Sequence, residues 1–172
     1  SVIMDILTVN QIEKNYNDFR LKAQFTVPQG AIFGIVGKNG SGKSTLIKII
    51  SGNLFADRGT VLYLGQNLSP ETPLMKRKLG YLPQESFLPQ WATAKEVMQY
   101  ASLLRSHREE IWQKALAKWD LLSFQDMPLK TCSYGTQKRV SLAIATMHEP
   151  DLLILDEPFS GLDLIHQKTL FH

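Results

Sequence analysis

The chain has 172 residues, 44% of them hydrophobic and 20% charged, with a net charge of only +3 and a single cysteine, Cys132. That is one domain's worth of ordinary globular chain; it excludes an internal disulfide and gives no reason to expect nucleic acid as a partner. The apolar runs are far too short to span a bilayer, and the start Ser1-Val2-Ile3-Met4 has neither the basic region nor the cleavage-type segment of a signal peptide.

In chain order, Ile6 to Val9 and Leu21 to Val27 have strand-like composition, and Pro28-Gln29-Gly30 forms a turn. Ala31 to Val36 is continuously apolar and ends at Gly37, which predicts a buried strand. Helical spacing of Leu46, Ile47 and Ile50 predicts a helix over Ser44 to Ser51, stopped by Gly52. Strands are predicted at Thr60 to Leu64 and Leu79 to Leu82. The cluster Lys76, Arg77 and Lys78 between them has the composition of a solvated surface patch.

From about Ala92 to Leu122 the chain turns helical, with one helix over Ala94 to Arg105 and another over Glu109 to Leu122. The second carries Ile111, Trp112, Ala115, Leu116, Trp119 and Leu122 along one face, the pattern of a core stripe. A third helix is predicted from Tyr134 to about Met147, and a buried strand over Asp151 to Asp156. Strands alternating with helices imply an α/β fold.

Four segments carry chemistry. Gly37-Lys38-Asn39-Gly40-Ser41-Gly42-Lys43-Ser44-Thr45 satisfies the P-loop pattern, between a predicted strand and a predicted helix. Its glycines let backbone N–H groups turn inward around phosphates, and the helix points its positive end at the same anion. On that pattern Lys43 is expected to reach the β- and γ-phosphates and Ser44 to ligate Mg2+, and Thr45 would add a hydroxyl near the phosphates. Leu152 to Leu155 is an apolar strand ending in Asp156 and Glu157, which delivers two acids to the sheet's carboxyl edge. Neighbouring carboxylates repel, so a cation beside them is an economical explanation. Cys132-Ser133-Tyr134-Gly135-Thr136-Gln137 precedes a helix, where Ser133 fits an N-cap and Gly135 leaves room for an anion. A plain helix cap explains that segment equally well. Ser160-Gly161-Leu162-Asp163 follows the acids.

With these segments in this order the sequence resembles the ATP-binding cassette (ABC) ATPases over nearly its whole length. Residues 37–45 resemble the family's Walker A loop, 152–157 its Walker B strand, 132–137 its L-S-G-G-Q signature, and 160–163 its D-loop with Asp163. Gln84, in Tyr81-Leu82-Pro83-Gln84, stands where the family has its Q-loop glutamine, a sensor of metal and water. Tyr16 is placed like the aromatic that stacks on adenine; a buried strand-edge tyrosine is the alternative. The signature departs from the family at Cys132, Tyr134 and Thr136, while Ser133 and Gly135 keep the positions that approach the γ-phosphate.

The resemblance implies a P-loop NTPase fold with a RecA-like, mostly parallel core sheet, a small N-terminal antiparallel β subdomain and an inserted α-helical subdomain. One nucleotide-binding domain would cover residues 1–172: about 1–86 the β subdomain and first part of the core, 87–135 the helical subdomain, 136–172 the second part of the core. It also implies ATP and Mg2+ as cofactors. ATP would contact Tyr16, Gly37, Asn39, Gly40, Ser41, Gly42, Lys43, Ser44 and Thr45, and Mg2+ would contact Ser44, Gln84 and Asp156. Glu157 would be the general base, assisted by Lys43 and Gln84, with Ser133, Gly135 and Thr136 acting in trans across a head-to-tail dimer or a pair with a second cassette.

Such a subunit works on the cytoplasmic face of a membrane through a transmembrane permease partner. The wording Leu79-Gly80-Tyr81-Leu82-Pro83-Gln84 is most similar to the exporter branch. Phe87, Leu88, Pro89 and Trp91 could line the groove for that partner or belong to the core. The family's switch histidine lies beyond Glu157 on a later strand, and neither His166 nor His172 matches it. The sequence therefore reads as C-terminally truncated, with impaired turnover as the expectation. Other classes are a non-transport cassette acting on DNA or ribosomes, and a regulatory subunit that binds nucleotide without hydrolysing it. The lack of long coiled coils and of a second cassette weighs against the first; intact Lys43, Asp156 and Glu157 weigh against the second.

Overall fold

The computed structural model describes residues 4–31, 33–35, 38, 40–85, 87–105, 110–157 and 162–169, and its chain divides into two compact units, Ser1–Leu79 and Gly80–His172.

The first unit is built on an antiparallel sheet. Strands β1 (Asp5–Tyr16) and β2 (Phe19–Pro28) form a long hairpin in which Tyr16 faces Phe19 across a two-residue turn. β3 (Arg58–Tyr63) pairs with the other edge of β1, and the short β4 (Gln66–Asn67) follows it, giving the order β2-β1-β3-β4. Ile6, Val9, Ile12, Val61 and Tyr63 are buried, as the alternation of a half-covered antiparallel sheet requires. Register slips on both sides of β1 near Gln11, whose φ of 44° marks a bulge. Gly59 stands against that bulge at φ 86°, where an added Cβ would lie 2.3 Å from the Gln11 carbonyl oxygen. Only glycine fits there. Helix α1 (Lys43–Ile50) and the one-turn α2 (Pro73–Lys76) complete the unit. α1 buries Leu46, Ile47, Ile49 and Ile50 and stops at Gly52, φ 74°.

The strand predicted over Ala31 to Val36 is not formed at 31 or 33–35. A strand of a parallel sheet closes no local hairpin and must take its hydrogen bonds from distant neighbours. Among the described residues no ladder is recorded for this stretch. Phe33, half exposed, stacks instead on Phe25, ring centroids 4.9 Å apart.

In the second unit, β5 (Leu79–Leu82) pairs with β6 (Leu152–Leu155), the parallel element of the fold. Helices α3 (Ala94–Leu104), α4 (Glu110–Lys118) and α5 (Tyr134–Thr146) pack together, with short 3-10 turns at Leu122–Phe124 and Leu129–Thr131, and α6 (Leu164–Thr169) follows. α3 begins with a capping box: Thr93 Oγ1 accepts from Glu96 N–H at 3.2 Å, and Glu96 Oε2 accepts from Thr93 N–H at 2.8 Å. The predicted stripe of α4 is core at Trp112, Ala115, Leu116 and Trp119, packed with Met98 of α3 and Val140 of α5. Leu122 falls outside it. Asp120, at φ 54°, breaks the helical path first, so Leu122 sits in a 3-10 turn and is exposed. Among the described residues no helix is long and apolar enough to cross a membrane.

Candidate functional site

The first unit holds the phosphate-binding candidates. Gly37 and Asn39 lie outside the described residues. Gly40 and Gly42 both take positive φ, 81° and 88°, and Ser41 N–H donates to the Lys38 carbonyl at 3.0 Å, so the backbone turns tightly into α1. Gly42 is the N-cap of α1 and supplies no side-chain acceptor; the first turn, beginning Lys43-Ser44-Thr45, contains no acid. Early helical amides without a side-chain cap, beside a lysine, are chemically suited to an anion such as a phosphate chain.

The β1–β2 hairpin ends against this turn. An added Cβ at Gly42 would lie 2.5 Å from Cζ of Phe19 and 3.3 Å from a Leu21 methyl. Tyr16 pairs with Phe19 in register and is 48% exposed, so it is not the buried strand-edge residue that was its alternative. Phe19 escaped the sequence reading, although an aromatic directly after a two-residue turn beside a candidate platform was a usable signal. Gly42→Ala combines a left-handed backbone with that contact. It is expected to destabilise the fold by about 1–2 kcal/mol from the left-handed cost alone. Denaturant unfolding checks this, and Phe19→Ala in the same chain should recover only part of the loss.

The second unit holds the acids. Asp156 N–H donates to the Leu82 carbonyl at 3.0 Å, which brings the carboxyl ends of β5 and β6 level. Gln84 follows β5 and Glu157 follows β6, and Gln84 Nε2 donates to Glu157 Oε2 at 3.1 Å. Two residues 73 apart in sequence are thus brought together. Asp156 is only 5% exposed, and its Oδ1 is buried without a hydrogen-bond partner. An orphaned buried carboxylate oxygen is costly, and a hydrated divalent cation is the kind of group that would satisfy it. The orphaned Asp156 oxygen therefore fits Mg2+. Glu157 is exposed and adopts φ 51°, a conformation that non-glycine residues rarely hold without constraint.

Ser133 caps α5: its Oγ accepts from Thr136 N–H at 3.1 Å and donates to Thr136 Oγ1 at 3.0 Å. Ser133, Gly135, Thr136, Asp163 and His166 line one open pocket of ≈ 290 Å³, together with Arg139 and Leu162. Neither Asp156 nor Glu157 lines it. Ser160 and Gly161 lie outside the described residues. The Asp163 carboxyl is held below its usual range, first by the hydrogen bond from His166 N–H, against a smaller opposing effect of burial. Arg139 and His166 were not read as site residues from the sequence. The position of His166, one helical turn after Asp163, was the available clue.

Two features bear on partners. Gln90 Nε2 donates to Gln137 Oε1 at 3.1 Å, tying the segment after Gln84 to α5. Phe87 and Trp91 are 91% and 79% exposed, and Tyr100, Leu103 and Leu104 of α3 are exposed as well. Large aromatics so exposed are unusual unless something covers them.

A family model described as "ABC transporter" matches residues 21–160. The Nod factor export ATP-binding protein I of Sinorhizobium fredii is 35% identical over 163 residues, covering 91% of this chain and 48% of that protein. The molybdate/tungstate import ATP-binding protein WtpC of Pyrococcus horikoshii is 35% identical over 170 residues, covering 96% of this chain and 49% of its own length. The chain thus spans about half the length of these curated relatives. A solved structure of the ATP-binding subunit of an ABC transporter superposes with a TM-score of 0.86 at 27% identity, covering 96% of this chain and 71% of that one.

Proposed function

This chain belongs to the ABC transporter family, and we propose that it is the ATP-binding and ATP-hydrolysing part of a membrane transport system, working as a head-to-tail dimer docked on a transmembrane permease partner. Export is the direction we propose, on the wording of Leu79 to Gln84. The carrying observation is the arrangement at the ends of β5 and β6, where an orphaned, buried Asp156 oxygen stands beside a left-handed Glu157 that accepts from Gln84.

Each residue's role follows from its chemistry. The amides after Gly40 and Gly42 and the Lys43 ammonium hold the phosphates, and Gly37 and Asn39 belong to the same sequence motif. Ser41, Ser44 and Thr45 add hydroxyls, and Tyr16 offers an aromatic face for adenine. Ser44, Asp156 and Gln84 would hold Mg2+, whose contribution is to neutralise charge on the phosphate oxygens. Glu157 takes a proton from the attacking water, and the Gln84 amide fixes the direction of that carboxylate. Water is the nucleophile and the γ-phosphoryl group is its target.

Ser133, Gly135 and Thr136 line a pocket that does not include the acids, which supports their acting on the nucleotide of a second subunit. Asp163 sits on the same pocket, at the D-loop. The exposed Phe87 and Trp91 offer an apolar surface to a membrane partner, and placement on the cytoplasmic face follows from that docking. Steady-state phosphate release should rise more steeply than linearly with protein concentration. Strict proportionality would remove the dimer from this reading, and failure to bind Mg-ATP would remove the reading itself.

A further inference from the structure

At the signature pocket a histidine stands between two segments that the function so far treats separately. His166 Nδ1 lies 2.8 Å from Asp163 Oδ1, and its backbone N–H donates to the same oxygen at 3.0 Å. On the far side of the ring, Nε2 lies 3.4 Å from Arg139 Nη1 and 3.7 Å from Asp120 Oδ2. Arg139 is buried and committed: Nη1 donates to the carbonyls of Trp119 and Asp120 at 2.9 and 2.7 Å, and Nη2 to Thr136 Oγ1 at 3.2 Å. Its guanidinium also lies over the Phe124 ring, 5.6 Å from the centroid. Thr136 in turn is bonded to Ser133. An unbroken chain of contacts therefore runs from Asp163 through His166 and Arg139 to the signature hydroxyls.

The chain of contacts dictates a protonation state. The Asp163 carboxylate can only accept, so Nδ1, 2.8 Å away, must carry the proton that meets it. Both protons of Arg139 Nη1 go to the Trp119 and Asp120 carbonyls, so Nε2 rests against the guanidinium without a hydrogen bond from that nitrogen. We propose that His166 is a positioning residue: donating from Nδ1, it holds the Asp163 carboxylate on one side of its ring against the Arg139 guanidinium on the other and so sets the spacing between Asp163 and the signature. The charged groups facing the ring are Asp163 on its own segment, Arg139 from α5 and Asp120 from the turn after α4. Asp163, held below its usual carboxyl range first by the hydrogen bond from His166 N–H, is the ionised acceptor of the Nδ1 contact.

This inference rests on the ATPase reading for its consequence in catalysis, but not for its first test. Nitrogen–proton NMR correlation on the folded chain should show a proton on His166 Nδ1, facing Asp163. An Nδ1 without a proton overturns the proposal whether or not the protein hydrolyses ATP. In steady-state assays of the full chain, His166→Ala is expected to lower kcat about tenfold while leaving KM for ATP near that of the parent. His166→Asn, which retains a donor toward Asp163, should restore most of the kcat that His166→Ala loses. An Asn variant as slow as the Ala variant, or an Ala variant that changes KM and not kcat, also overturns it. A parent that neither binds nor hydrolyses Mg-ATP defeats the ATPase reading instead, and the Nδ1 proton still decides the placement of His166.

Discussion

Replacing Glu157 by glutamine is expected to cut steady-state phosphate release by about 10²–10⁴-fold while leaving Mg-ATP binding nearly unchanged, because a positioned general base contributes that much and the amide cannot take the proton. The substitution preserves length, volume and the ability to bond to Gln84, whose Nε2 lies 3.1 Å from the carboxylate. It leaves the phosphate loop of the first unit untouched. Backbone conformation should survive too, since glutamine is no worse than glutamate at φ 51°. A single-turnover experiment separates the two quantities: the variant should retain bound, uncleaved ATP where the parent yields ADP. A variant that keeps more than about a tenth of the parental rate would assign the proton transfer to another group.

Gln84→Ala offers a graded comparison, since it removes the donor that orients Glu157 without removing the base. The carboxylate would still be present but less constrained, so the loss should be smaller than for Glu157→Gln. The ordering of the two variants distinguishes a base held in place by Gln84 from a carboxylate that needs no holding.

How much of this was legible in the sequence depended on whether the controlling interaction was local. The phosphate loop was readable because its glycines encode backbone torsions directly: Gly40 and Gly42 stand where positive φ is required. Helices α1 and α4 were readable from periodicity, and Ser133 as an N-cap from its residue type and position. The two strands of the hairpin were found but not their pairing, and the first was cut short because beyond Val9 the bulge at Gln11 disrupts the alternation that marks a half-buried strand. Ala31 to Val36 reads as a strand on apolarity alone, and apolarity does not supply the neighbours that a parallel strand must find. Gln84 was placed by family resemblance, and Glu157 by the apolar strand that ends in two acids. Their contact was not, because it joins positions 73 residues apart. The cluster at His166 was invisible for the same reason: Asp120, Arg139 and Asp163 converge from the end of α4, from α5 and from the D-loop, and no sequence window contains them.

The other large effect concerns stability and should reverse sign with ligand. Asp156 is buried at the end of β6, its Oδ1 has no partner, and Glu157 is its neighbour in sequence. Without a cation that arrangement costs folding free energy, of order 1–3 kcal/mol for an unsatisfied buried polar atom and more if the charge is unpaired. Asp156→Asn removes the charge, keeps the shape and relieves repulsion with Glu157, so in nucleotide-free, chelated buffer the variant is expected to melt at a higher temperature than the parent. Mg-ATP should invert the order. The parent gains about 2.7 kcal/mol at a hundredfold excess over its dissociation constant, whereas the variant has lost the carboxylate proposed to hold the metal and should gain far less. Thermal unfolding of both proteins with and without Mg-ATP gives four midpoints, and the proposal requires that they cross. If Asp156→Asn is the less stable protein even in chelated buffer, the buried oxygen is contributing to the fold itself, and its assignment to magnesium fails. If the variant is more stable under both conditions, the metal is held elsewhere and Asp156 is merely a strained residue at a strand end.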